Sequence, residues 1–176
     1  MLTKHAIMDG YMELVVSKGT SEVSVTEICR KCNVSRKTFY YYFVDRYDLL
    51  EQIFVEEVET PLKESMETEQ EPKDYLLNFY NHFLLNKSFY IIAIKENGQN
   101  SLFENIIERL EKVNMVRIEK YYPDIRQREY ISYKFAASQA MLLKKWISEG
   151  MDESPEFMAE VFLASLSPEL LKISQF

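Results

Sequence analysis

The chain has 176 residues, of which 47% are hydrophobic and 28% charged, and its formal net charge is −7. No apolar run approaches the roughly 18 residues that a membrane span requires, and the composition excludes a disordered chain. Because glycine (4) and proline (5) are scarce, the sequence predicts an all-α protein. The first residues, MLTKHAIMDGYMELV, lack a signal-peptide core, which predicts a cytoplasmic protein without contact to a membrane.

The negative net charge hides a basic segment. Residues 1–50 hold 7 Lys/Arg against 6 Asp/Glu, giving +1, whereas residues 51–176 hold 14 against 22, giving −8. Residues 26–46 alone hold 5 against 2, giving +3. A local basic patch is typical of proteins that contact nucleic-acid phosphates. An ordinary solvated surface is the alternative.

After a first amphipathic helix over residues 3–18, the stretch SVTEICRKC predicts a second helix. Ser24 is placed to cap it, and Glu27, three residues later, completes a capping box. Ile28 and Cys32 form its predicted buried side. The pair Cys29 and Cys32 stands alone as a CxxC, without the further ligands that zinc needs, so packing is the better interpretation.

A tight turn follows and leads into a third helix. Asn33 tolerates the left-handed backbone conformation that such a turn requires, and Ser35 is placed to cap the helix SRKTFYYYF. Two short helices joined in this way predict a helix-turn-helix motif. Asp45 is the predicted cap of a fourth helix, which begins near Arg46 and runs past Pro61 toward Met66.

The third helix has distinct inner and outer faces. At about 100° per residue, Phe39 and Phe43 share one line and face the core. Tyr41 then points away from the core, on the side of Lys37. This arrangement predicts a helix that reads DNA, and a surface aromatic cluster for protein contact is the alternative. Tyr40 and Tyr42 flank the buried line, and the first turn, where recognition helices usually touch base edges, holds Arg36, Lys37 and Thr38.

The rest of the chain predicts a helical bundle. Residues 67–74 are interpreted as a connector, residues 75–85 and 89–94 as helices, and Asn100 or Ser101 as the cap of a helix that ends near Tyr121. The last two helices are apolar on two sides each, which predicts burial against a second copy of the chain; a wholly intrachain core is the alternative. The predicted dimer interface comprises Ala136, Ala140, Leu143, Ile147, Phe157, Met158, Val161 and Phe162.

Aromatic residues at helical spacing in this bundle are candidates for a ligand pocket. Ordinary core packing is the alternative for each of them. The candidate pocket residues are Tyr75, Phe79, Phe83, Tyr90, Phe103, Tyr133 and Trp146. No phosphate-binding loop, nucleophile elbow or metal-binding motif is present in the sequence, so we expect no enzymatic activity, no cofactor and no metal.

Residues 24–50, SVTEICRKCNVSRKTFYYYFVDRYDLL, resemble the DNA-binding motif of the TetR-type (TetR/AcrR) transcriptional regulators. The departures are Asn33, where the family usually has glycine, and Arg46, where it usually has lysine. The stretches GQNS and KKWISEGMDESPEFMAE further resemble the C-terminal domain common in regulators from Firmicutes. The family pattern is matched at Val34, Ser35, Thr38, Phe39, Tyr40, Phe43 and Leu49.

The resemblance implies a sequence-specific regulator, most often a repressor, that binds a palindromic double-stranded DNA operator as a homodimer and can be released by a small-molecule effector. It implies a DNA-binding domain over residues 1–46 and a regulatory and dimerisation domain over residues 47–176. A helical interaction module with a vestigial helix-turn-helix is the alternative. The DNA contacts implied by position are Ser35, Arg36, Lys37, Thr38, Tyr40, Tyr41 and Tyr42, with Lys4, Thr26 and Arg46 at phosphates.

Overall fold

The computed structural model of the chain describes residues 2–60, 72–95, 101–119 and 121–166. Within these residues every regular element is a helix. No helix in the same ranges is long and apolar enough to cross a membrane. The predicted all-α fold is therefore confirmed, with an N-terminal helix-turn-helix and a C-terminal helical region.

Three helices form the N-terminal unit, which we call the head. They are α1 (Leu2–Lys18), α2 (Val25–Lys31) and α3 (Arg36–Tyr42). Helices as short as α2 and α3, with seven residues each, are marginal on their own, so they depend on caps and on packing.

The predicted caps of the head are confirmed. The Ser24 side chain accepts from the backbone N–H of Glu27, and the Glu27 carboxylate accepts from the backbone N–H of Ser24, which is a complete capping box. Asn33 has a φ of 52° and makes the left-handed turn between α2 and α3. Ser35 then caps α3 by accepting from the backbone N–H of Thr38.

Helix α1 crosses α2 at a very close approach. A Cβ atom at Gly10 would lie 2.3 Å from the sulfur of Cys32. The Cys32 thiol donates a hydrogen bond to the carbonyl oxygen of Ala6, at 3.3 Å. Ile28 and Cys29 are the fully buried residues of α2, whereas Cys32 is half-buried, so the predicted buried side of α2 is shifted from Cys32 toward Cys29.

Helix α4 (Arg46–Phe54) connects the head to the rest of the molecule. Asp45 caps it by accepting from the backbone N–H groups of Tyr47 and Asp48, as predicted. The helix continues without a break into a π-helical turn, Val55–Glu59. Its predicted course past Pro61 lies outside the described residues.

The remaining helices form the unit that we call the body. They are α5 (Pro72–Leu85), α6 (Lys87–Ala93), α7 (Leu102–Arg117), α8 (Ile125–Ser148) and α9 (Pro155–Ala164). Helix α7 packs along α8, α9 packs on α5, and α6 joins the two units by packing against both α1 and α8. The buried side chains of head and body form one continuous core.

Two predicted boundaries in the body are wrong. Helix α5 begins at Pro72, inside the predicted connector, because proline is compatible with the first turn of a helix. Helix α7, capped by Ser101 as one of the two predicted alternatives, ends at Arg117 rather than near Tyr121. The other predicted cap, Asn100, lies outside the described residues.

Candidate nucleic-acid interface

The third helix exposes the face that the sequence predicted. Phe39 and Phe43 are 0% and 1% exposed, and their ring centroids lie 5.5 Å apart in the core of the head. On the opposite side, Tyr41 is 80% exposed and Lys37 is also exposed. The two phenylalanines therefore fix the rotation of α3, and that rotation presents Lys37 and Tyr41 to solvent.

The first turn of α3 is partly preorganised by its own side chains. An Nη atom of Arg36 donates to the hydroxyl of Tyr40 at 3.2 Å, and the guanidinium carbon lies 5.8 Å from the centre of the Tyr40 ring. The hydroxyls of Ser35 and Thr38 lie 2.8 Å apart. The ring of Tyr42 is half-buried and meets Tyr41 edge to face at 4.9 Å. An arginine held in place loses less side-chain entropy when it binds, which suits contact with a base or a phosphate.

Three further residues were predicted to contact phosphates, and only one is fully free to do so. Thr26 lies exposed on α2. Lys4 forms an ion pair with Glu56 on the π-helical turn, and its ammonium also lies 5.9 Å from the centre of the Phe43 ring. Lys4 therefore connects the head to α4 in this structure.

Arg46 is turned inward, toward the loop between α1 and α2. One guanidinium nitrogen donates to the carbonyl oxygens of Thr20, Ser21 and Val23 at 2.8, 3.1 and 3.4 Å. The other donates to the hydroxyl of Tyr47 at 2.9 Å. These bonds satisfy backbone acceptors in a segment without regular structure, so the geometry assigns Arg46 a structural role in the head.

Helix α2 is stabilised by a charged partner at its N-terminal cap. The Lys18 ammonium, together with hydrogen bonds from Ser24, lowers the pKa of Glu27 to about 2. Glu27 is therefore ionised throughout the neutral range, and the capping box stays closed. The helix that supports α3 is thus fixed at its start by a bond between α1 and α2.

Three of the seven candidate ligand residues pack against one another in the body. Phe83 lies 5.3 Å from Phe79 and 4.7 Å from Tyr90, measured between ring centres. Phe103 is half-buried under the Lys144 ammonium, and Tyr133 is 54% exposed on α8, away from this cluster. Tyr133 therefore differs from the buried members of the predicted pocket. The buried members are Tyr75, Phe79, Phe83, Tyr90 and Trp146.

Five of the eight residues predicted for the dimer interface are buried within the single chain. The small and aliphatic line of α8 faces α7 and α6 and is buried by its own chain, because α8 packs between other helices of the body. Phe157 and Val161 on α9 are 48% and 38% exposed, and Phe162 is half-buried. The residues that are at most 4% exposed within the single chain, and so do not form a face for a partner, are Ala136, Ala140, Leu143, Ile147 and Met158.

A different stripe of α8 carries two exposed apolar residues. Tyr130 is 71% and Met141 58% exposed, and the half-buried Ala137 lies between them. With Lys134 these positions follow the i, i+4, i+7, i+11 spacing of one helix face. The sequence did not reveal this stripe because the lines of α8 on both sides of it are also apolar.

Comparison with known proteins gives a consistent result. A family model described as "Bacterial regulatory proteins, tetR family" matches residues 7–53, and a model described as "Transcriptional regulator C-terminal region" matches residues 70–167. The second match alone spans more than half of the chain. No curated protein sequence matches the chain significantly.

Solved structures with the same fold include a TetR-family transcriptional regulator from Syntrophomonas wolfei, 20% identical with a TM-score of 0.68, covering 98% of this chain and 94% of that one. The dihydroxyacetone kinase operon activator DhaS is 20% identical with a TM-score of 0.64, covering 97% and 94%. NalD, the secondary repressor of the MexAB-OprM multidrug efflux pump in Pseudomonas aeruginosa, is 18% identical with a TM-score of 0.60, covering 92% and 93%.

Proposed function

Since the chain belongs to the TetR family of DNA-binding transcriptional regulators, we propose that it acts as a homodimeric repressor of a palindromic operator. The single observation that carries the DNA-binding site is the orientation of α3. Phe39 and Phe43 lie in the core while Lys37 and Tyr41 face solvent. A helix held in this way can enter a major groove with its first turn toward the base edges.

Each contact residue has a role that follows from its chemistry. Lys37 supplies a mobile charge for a phosphate or a guanine, and the Arg36 fork, held by Tyr40, suits bidentate contact with a guanine. Tyr41 offers a hydroxyl to phosphate oxygens. Ser35, Thr38 and the exposed Thr26 contribute hydroxyls near the same surface.

The homodimer is supported by the exposed apolar faces of the last two helices. Tyr130 and Met141 on α8, with Phe157 and Val161 on α9, leave apolar surface in water unless a partner covers it. A twofold-related copy would cover it with the same surface. Two heads in one dimer would then reach successive major grooves about 34 Å apart.

An effector site in the body is supported by buried polar atoms. The Tyr80 hydroxyl and the Gln139 amide nitrogen are buried and have no hydrogen-bond partner within the described residues. Burial raises the pKa of Tyr80, so its hydroxyl keeps its proton and can donate. Because a buried donor without a partner is costly, we propose that a small molecule with an acceptor group binds beside Tyr80 and Trp146 and releases the operator.

The test begins with selection of bound fragments from the source genome, which identifies the operator. Lys37→Ala should then weaken operator binding by about tenfold while the dimer stays intact, because a recognition-helix contact is worth about 1–3 kcal/mol. Fluorescence anisotropy measures the affinity, and sedimentation measures the dimer.

The matched control is Lys112→Ala, which removes the same charge from an exposed i, i+4 ion pair with Glu108 on α7. It should leave operator affinity unchanged. Wild-type binding should also fall steeply with salt, because phosphate contacts release counterions. Equal affinities of Lys37→Ala and wild type for the selected operator would favour the alternative, a protein-interaction module.

A further inference from the structure

Two adjacent glutamates on the π-helical turn bind opposite units of the molecule. Glu56 pairs with Lys4 of α1, and its second oxygen lies 3.4 Å from Nδ1 of His5. Glu57 accepts hydrogen bonds from the Asn86 amide, at 3.0 Å to each oxygen, and from the Tyr90 hydroxyl at 3.1 Å. Two consecutive residues therefore contact different units: Glu56 contacts the head and Glu57 contacts the body.

The Glu57 contact is strongly constrained. Its carboxylate uses both oxygens, its partner Tyr90 is 0% exposed, and the Tyr90 ring packs against Phe83 and Phe89. Burial raises the pKa of Glu57, although the bonds from Tyr90 and Asn86 act in the opposite direction. A partly buried carboxylate that lost these donors would pay the full desolvation penalty, so the three groups move together.

The Glu56 contact leads to the recognition helix. Lys4, its partner, lies over the ring of Phe43, the residue that ends α3. Phe43 in turn packs against Phe39, which sets the rotation of α3. Glu56 is thereby connected to the DNA-reading face through two side chains, Lys4 and Phe43.

The backbone at this point is unusual. The turn Val55–Glu59 has the N–H of Thr60 bonded to the carbonyl oxygen of Val55, which is the wider i to i+5 pattern. Such π-helical turns are rare and occur frequently at functional sites. Here the turn lies in the single described segment between head and body, where a change of helical pitch would rotate one unit relative to the other.

We propose that Glu56 and Glu57 are positioning residues that together hold the head at a fixed orientation relative to the body, so that the two heads of the dimer match the spacing of the operator. This inference rests on the proposed function. Displacement of Asn86 or Tyr90 in the body is passed through the carboxylate pair to Lys4 and α3. Neither glutamate contacts DNA in this scheme.

The experiment compares two DNA duplexes for each variant, the full palindromic operator and a duplex with a single half-site. A half-site engages one head, so its affinity does not depend on how the two heads are oriented. Glu57→Gln should weaken binding to the full operator by roughly fivefold or more, within the range of coupling energies between sites. Its half-site affinity should stay at the wild-type value.

Tyr90→Phe removes one donor to Glu57 with little change of volume and should shift the ratio of the two affinities in the same direction. It keeps the test decisive if Glu57→Gln does not fold. Glu56→Gln should act similarly, and the double variant of both glutamates should weaken full-operator binding less than the product of the single effects, because residues in one network are not additive.

The matched control is Glu108→Gln, which neutralises an exposed carboxylate on α7 and should change neither affinity. The proposal is overturned if Glu57→Gln and Tyr90→Phe both bind the full operator as wild type does. It is equally overturned if they weaken half-site and operator alike, since that result means local damage to the reading surface. Lys37→Ala, which should weaken both duplexes, separates a failure of this inference from a failure of the proposed function.

Discussion

The head and the body are both helical, but different interactions stabilise each of them internally. Helices α2 and α3 have seven residues each, and each begins at a serine whose side chain caps it. Helix α8 has 24 residues and is covered by α7 over much of its length. The head therefore depends on local side-chain bonds and a few core residues, whereas the body depends on extensive packing between helices.

The two regions also use their carboxylates in opposite ways. In the head, Lys18 lowers the pKa of the surface residue Glu27 to about 2. Glu27 therefore stabilises the fold above its unfolded pKa, and this contribution is lost as the pH falls toward 2. At the junction with the body, burial raises the pKa of Glu57, so its contribution favours low pH and is lost as the pH rises through its folded pKa. The ionised form of Glu27 therefore stabilises the head, whereas burying the ionised form of Glu57 at the junction costs free energy.

The largest expected effect comes from breaking the core of the head. Phe39→Ala should lower the free energy of unfolding by about 3–5 kcal/mol, because Phe39 is fully buried and a small unit cannot fill the cavity. Native-state hydrogen exchange should show loss of protection in α2 and α3, with α7 and α8 unaffected. If protection falls equally in all four helices, head and body unfold as one cooperative unit and the contrast drawn above does not hold.

The second prediction concerns the body and its association with a second copy of the chain. Met141→Lys should dissociate the proposed dimer, raising its dissociation constant by about 30-fold, because central apolar contacts contribute about 2 kcal/mol or more. The monomer should keep its melting temperature, since Met141 is 58% exposed. Sedimentation equilibrium measures the association.

Val116→Lys is the matched control for the dimer. Val116 is 73% exposed on α7, outside the proposed interface, so the same charge introduced there should leave association unchanged. A dimer that survives Met141→Lys but not Val116→Lys would move the interface to the other side of the body.

The same contrast explains what could be predicted from the sequence. Ser24, Asn33 and Ser35 act on backbone atoms within three residues of themselves, so their roles follow from spacing alone. Ala140 and Met141 are neighbours on a helix with apolar residues on both sides, and spacing does not say which side meets α7. The interface residues predicted on α8 therefore lie on the line that its own chain buries.

Contacts between side chains that are far apart in the sequence could not be predicted either. Glu57 is separated from Tyr90 by 33 positions, and Arg46 from Thr20 by 26. No sequence pattern near these residues indicates either contact. The same sequence is equally compatible with a solvated glutamate and with an arginine that binds phosphate. For Arg46, as for Lys4, the structure shows partners within the chain where the family resemblance implies a phosphate contact.

Arg46→Met decides between these roles and has the smallest expected effect. The bonds to Thr20, Ser21 and Val23 each bridge a charged donor and a backbone carbonyl, and their loss should lower head stability by about 1–2 kcal/mol. Because the guanidinium is engaged by the loop between α1 and α2 and by Tyr47, the salt dependence of operator binding should keep its wild-type slope. A phosphate contact predicts the reverse, unchanged head stability with a slope smaller by about one counterion. Denaturation measures the stability of the head, and fluorescence anisotropy at several salt concentrations measures the slope. Both measurements use the same variant.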